Sequence, residues 1–153
     1  RQMFGNGGRA TMREVYGDEA DKFSDAEFSD SIYYTLFPNF HPWGAFNRIC
    51  YRFRPYEDRH DMSIMECMYL EPYDESKPKP PSAPIHWLTA EDDWADAPEL
   101  GNLARVFNQD SFNLPKVQRG LKAMTKPGVT LANYQETKIR HVHMLMNKWF
   151  QKP

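Results

Sequence analysis

Seven residues late in the chain recur at helical spacing. Leu100, Leu103, Phe107, Asp110, Leu114, Val117 and Leu121 are 3, 4, 3, 4, 3 and 4 positions apart. That spacing puts all seven on one face of a helix between Pro98 and Met124. Six are apolar and belong in a core. The seventh is a carboxylate, which is costly to bury unless a cation or strong donors meet it. Asp110 therefore points into a polar cavity, binds a cation, or marks a helix end. Pro115 has no N–H for the carbonyl of Ser111, and its ring crowds that turn. A kink or restart is expected between Ser111 and Pro115, freeing backbone groups beside Asp110. Asp is a favoured N-cap, so on geometry alone a cap of the next turn is the plainest reading.

The chain has 153 residues, of which 41% are hydrophobic and 14% aromatic, enough for one domain with a real core. A formal net charge of −2 gives no electrostatic reason to expect nucleic acid or an anionic membrane as partner. No apolar run reaches transmembrane length. The first residue is Arg1 and no signal-peptide pattern follows, so the chain reads as a piece of something longer or a trimmed chain. Cys50 and Cys67 fall in strand-like runs without a zinc or iron–sulfur spacing. They read as reduced, buried thiols in a cytoplasmic protein.

Taken in order, residues 1–27 start polar and Gly-rich and read as a mobile entry segment, with a helical turn or two in the acidic stretch Asp18 to Asp30. Gly5-Asn6-Gly7-Gly8 lacks the strand–helix context of a phosphate loop. Ile32 to Phe37 is β-branched and aromatic, predicting a strand near 31–38 covered on both faces. Asn47 to Pro55 alternates: Ile49, Tyr51 and Phe53 face one way, Arg48, Arg52 and Arg54 the other. That predicts a half-buried antiparallel strand with a wet face. A polar turn and a third strand, 61–71, complete a meander, and its methionines suit an adaptable apolar cavity or ordinary core. Pro72 to Ala97 reads as a long irregular surface link pinned through Trp87 and Trp94.

A last helix is predicted over 131–150, with Ile139, Val142, Met146 and Trp149 as the stripe packed on the sheet. His141 and His143 are two apart and cannot easily share one ion on a helix. His143 is expected half-buried and His141 exposed. His41, His60 and His86 are isolated and read as structural or solvated.

Several of these stretches carry a resemblance. Gln109-Asp110, followed seven residues later by Gln118-Arg119-Gly120-Leu121, resembles a late catalytic-domain motif of Rieske-type non-haem iron ring-hydroxylating oxygenase alpha subunits. Leu36-Phe37-Pro38-Asn39 is similar to a strand end of that family. Arg54-Pro55, and Glu136 before the basic and His-bearing helix, follow in the same order. The resemblance spans about Phe28 to Phe150. It implies an α+β, helix-grip fold of the START-like kind, an antiparallel sheet wrapped around a long C-terminal helix. On that resemblance 1–153 is a single domain, the C-terminal part of the catalytic domain.

The resemblance further implies that Asp110 is the carboxylate of a 2-His-1-carboxylate mononuclear Fe(II) site. It implies O₂ and an apolar or aromatic substrate, a ferredoxin or reductase as electron donor, and a homotrimer with Arg48, Arg52, Arg54 or the 72–97 link at its contact. The Rieske [2Fe-2S] cluster belongs to an upstream part, since this chain cannot supply its Cys and His ligands. The two iron histidines have no match here, so the fragment by itself is expected to be metal-free and inactive. Two other readings stay open: a non-enzymatic helix-grip domain binding a hydrophobic ligand, and a scaffold piece with no site of its own.

Overall fold

A computed structural model describes residues 2–30, 32–44 and 48–151. The chain falls into two compact units, Arg1–Pro80 with His141–Pro153, and Pro81–Arg140. The elements are those of an α+β helix-grip domain: a three-stranded antiparallel sheet and a long C-terminal helix.

In the first unit the Gly-rich start is helical: α1 runs Gln2–Tyr16 and α2 runs Asp25–Ser29. Glycine in a helix costs about 0.5–1 kcal/mol relative to alanine, which is why the sequence reads as irregular there. Packing supplies the compensation. A Cβ on Gly5 would lie 2.7 Å from a carboxylate oxygen of Asp25, and one on Gly8 would lie 2.9 Å from the Phe28 ring. The two glycines let α2 close on α1. Arg9 locks the pair, donating to Asp25 at 2.8 Å and to the Phe23 carbonyl at 3.0 Å, with its guanidinium 5.0 Å from the centre of the Phe28 ring.

The sheet has the order β1 (Phe40–Pro42), β2 (Ile49–Tyr56), β3 (Arg59–Tyr69). The strand predicted near 31–38 is replaced by β1. Of that prediction, Ser31 lies outside the described residues, and Ile32 to Leu36 joins β1 only through the isolated bridges Tyr33–Trp43 and Leu36–Phe40. Tyr34 and Leu36 are exposed, so this edge is covered on one face and not two. Leu36 and Phe40 exchange both backbone hydrogen bonds across Phe37-Pro38-Asn39, whose Phe37–Pro38 peptide is cis. Asn39 then fastens the turn to β2. Its side-chain amide donates to the Phe53 carbonyl at 2.6 Å, and its own carbonyl accepts from the Phe53 N–H.

The alternation expected of β2 is present. Arg54 bonds Glu66 at 2.6 Å, Arg52 bonds the other oxygen of Glu66, and Arg48 bonds Glu71 at 3.0 Å. Pro55 sits within β2 beyond the reach of β1, whose register runs only from Phe40–Arg52 to Pro42–Cys50, so its missing N–H breaks no ladder bond on that side. Cys50 pairs with Met68 and Cys67 with Tyr51. The two free thiols thus lie on opposite faces.

In the second unit, α3 (Ala104–Ala123) runs helical through Pro115. No helix end falls at Asp110, so the cap reading does not hold. The link from Pro72 is irregular up to a short 3-10 turn, Trp94–Asp96. Trp94 is pinned as expected, but Trp87 is exposed.

The last helix, α4, is shorter than predicted, Thr137–Phe150, and it buries no residue. The expected stripe is not packed away: Ile139, Met146 and Trp149 are exposed, Trp149 by 60%. Trp149 meets the Phe37 ring at 5.6 Å between centroids. His143 is exposed, as is His141. Arg140 ties the turn before α4 to the helix by donating to the carbonyls of Leu131, Ala132 and Asn133 at 3.3, 2.7 and 2.5 Å.

Candidate functional site

The first half of α3 is held by a compact knot. Phe107 is 1% exposed and lies under the Trp94 ring, 5.0 Å between centroids. The Trp94 indole N–H donates to Ser111 Oγ at 2.8 Å, and its backbone N–H donates to Asn108 Oδ1 at 3.1 Å. Asn108 in turn donates to Asp93 at 2.7 Å, and Asp93 also caps the Ala95 N–H at 2.8 Å. The Asn108 amide, then the Ala95 N–H, hold the Asp93 carboxyl below its ordinary range. Nearby, His86 Nε2 meets Glu99 at 3.0 Å, a pair that nothing in the sequence announced. Asp110 stands in the same turn as Phe107, Asn108 and Ser111. It is exposed, and its carboxylate makes no hydrogen bond or ion pair among the described residues. Beyond it, Leu114 and Val117, which the spacing assigned to a core, are exposed by 54% and 56%.

Among the described residues no three His, Cys, Asp or Glu side chains form a group that could hold a metal ion. One carboxylate is one-third of a facial triad. The side chains described therefore do not fit a complete iron site. Within the second unit, His86 and Asp110 do not belong to such a group among the described residues.

The first unit carries a different kind of surface. Tyr33, His41, Trp43, Tyr51 and Phe53 share one side of the sheet. Tyr33 stacks on His41 at 5.7 Å, His41 meets Phe53 edge-on at 5.5 Å, and Trp43 meets Tyr33 at 5.2 Å and Tyr51 at 6.4 Å. Burial pushes the Tyr33 phenol up and the His41 imidazole down, so both favour their neutral forms. His41 Nδ1 is 3.3 Å from Thr35 Oγ1. The indole nitrogen of Trp43 is buried without a hydrogen-bond partner among the described residues. Sequence reasoning placed Tyr51 and Phe53 on this face but missed His41 and Trp43. Their own spacing of two was the available signal, hidden by assigning the strand to 31–38.

The family comparison falls on nearly all of this structure. Residues 5–152 match the model of the family described as the ring hydroxylating alpha subunit, catalytic domain. The chain belongs to that family. The expected resemblance is thereby borne out, and with it an oxygenase-like alpha-subunit domain from a family that is generally dependent on non-haem iron. No curated protein and no solved structure matches the chain significantly. Among the described residues no helix of this ring-hydroxylating domain is long and apolar enough to cross a membrane.

Proposed function

We propose that residues 1–153 are one portion of the catalytic domain of an oxygenase that uses a mononuclear Fe(II) and O₂ to hydroxylate an aromatic or other apolar substrate. The observation that carries the reading is the family match over residues 5–152, with Asp110 inside it on an anchored turn of α3. Asp110 is the carboxylate ligand in this proposal, completed by two histidines of the complete subunit that lie outside this chain. A Rieske [2Fe-2S] cluster elsewhere in the complete subunit, reduced by a ferredoxin or reductase, would supply the electrons that such an iron uses, and on this proposal the subunits assemble as a homotrimer in the cytoplasm. The knot of Trp94, Asn108 and Ser111 fixes the turn that carries Asp110, and positioning is the protein's main contribution in such chemistry.

Metal analysis tests the reading. In the complete subunit Asp110→Ala is expected to lose iron and turnover while the Rieske electron-paramagnetic signal persists. Full iron content and activity in that variant would sink the assignment. The 153-residue chain by itself is expected to be metal-free, and stoichiometric iron bound to it would show that other side chains are the ligands.

A further inference from the structure

The second unit opens on irregular chain, Pro81 to Leu88, which is exposed from Pro81 through Trp87. Pro81 and Pro84 have no N–H to donate. Among the described residues this segment makes one hydrogen-bonded or ionic contact: His86 Nε2 meets Glu99 Oε2 at 3.0 Å. The His86 side chain is tucked in, 29% exposed, while its neighbours Ile85 and Trp87 stand 80% and 75% in solvent. Glu99 belongs to the 3-10 stretch Pro98–Leu103, which is anchored by the buried Leu100. The other charged groups of this unit near the pair are committed elsewhere or stand apart from it. Asp92 accepts from the Thr89 N–H, and Asp93 from Asn108 and the Ala95 N–H. The side chains of Glu91, Asp96, Arg105 and Asp110 make no hydrogen bond or ion pair with either member among the described residues.

We propose that His86 and Glu99 form a pH-sensitive clasp: a protonated His86 fastens the Pro81–Leu88 segment to the Pro98–Leu103 stretch, and loss of that proton releases it. A segment with so few other ties is positioned even by the modest attraction of a part-exposed pair. The Glu99 carboxyl is held below its ordinary range, first by its own backbone N–H and then by His86. It therefore stays ionised through the range, about pH 5 to 8, in which a histidine changes charge. The clasp is fastened on the acidic side of that range and opens as rising pH removes the imidazole's charge. A neutral imidazole keeps only an uncharged hydrogen bond, about half as strong. At the acid extreme, protonation of Glu99 opens the clasp again as pH falls through the carboxyl's depressed value. Release lets Ile85 and Trp87 move with the segment, so pH sets how these two apolar side chains are presented. The clasp needs no iron and rests on no part of the oxygenase reading.

The test is ¹⁹F nuclear magnetic resonance of the complete alpha subunit labelled with 5-fluorotryptophan, the Trp87 signal being the one lost in Trp87→Phe. As pH is raised from about 5.5 to about 8, that signal is expected to narrow and move toward the position of the free amino acid. In His86→Gln it should hold the narrow, released position at every pH in that range, and in Glu99→Gln the movement should shrink because the counter-charge is gone. A Trp87 signal indifferent to pH in the unsubstituted protein, or an undiminished response in His86→Gln, overturns the clasp. Should the variants fail to fold, the unsubstituted protein decides through salt. Raising ionic strength from about 0.01 M to about 1 M screens a solvent-accessible ion pair and should diminish the pH response. A response unaltered by salt overturns the assignment to this pair.

Discussion

The two halves of α3 carry the same apolar spacing and meet opposite surroundings. Before Asp110, Ala104 and Phe107 are buried, as is Leu100 in the 3-10 stretch Pro98–Leu103 ahead of the helix, and a ring and three hydrogen bonds from the Trp94–Asp93 turn close over Phe107 and its neighbours. After Asp110, Leu114, Val117 and Leu121 repeat the pattern into solvent. The difference lies in what the chain returns over each half. The first half is met by a turn from fifteen or so positions upstream that offers both a ring and hydrogen-bonding groups, as the Asp93–Asn108 and Trp94–Asn108 bonds show. Asp110 stands at the border, positioned by the ordered half.

The largest expected consequence is in stability. Phe107→Ala should cost about 3–5 kcal/mol, the usual penalty for emptying a buried aromatic site. Val117→Ala, on the same stripe, should stay within about 0.5 kcal/mol. Urea midpoints of the two variants read this directly, and comparable losses would mean that both halves are covered in solution.

A smaller effect sharpens the same contrast at the knot. Trp94→Phe keeps a ring over Phe107 but removes the N–H that Ser111 accepts, and should cost about 1 kcal/mol. A double-mutant cycle with Ser111→Ala isolates the pair. Coupling indistinguishable from zero would show that ring packing alone holds the first half.

The smallest effect belongs to the wet face of the sheet, where the groups are paired yet exposed. The Arg52 hydrogen bond, joined by Arg54, holds the Glu66 carboxyl below its ordinary value of 4.5. A carboxyl whose folded pKa is depressed contributes stability above that ordinary value and loses it as pH falls through the lower, folded one. Glu66→Gln should therefore flatten a slight acid-side decline in melting temperature and change little at pH 7. An unaltered acid-side profile would show the cluster to be energetically silent.

Much of the architecture is legible along the chain because it rests on local rules. The period-two alternation of Ile49 to Arg54 fixed β2 and the sides its residues take, since successive side chains of a strand must point to opposite faces. Helical spacing likewise fixed which residues of α3 and α4 share a stripe. The ordered motifs from Leu36 to Glu136 pointed to the family that the match over 5–152 bears out. Local rules failed where a distant partner decided the outcome. Gly5 and Gly8 read as disorder, because their worth lies in the approach of Asp25 and Phe28. His41 read as an isolated histidine, because the strand that carries it is set by pairing with β2 at Tyr51.

The sequence by itself determined the types of β2, β3, α3 and α4, the sides of β2, the spacing that sets Asp110 on α3, and family membership, all carried by neighbours a few positions apart. Tertiary structure alone decided burial: which half of α3 is closed over, that Trp149 is left in solvent, and that an indole N–H sits buried with no acceptor among the described residues. The physical reason is that periodicity specifies a direction, whereas burial depends on whether another part of the chain arrives in that direction.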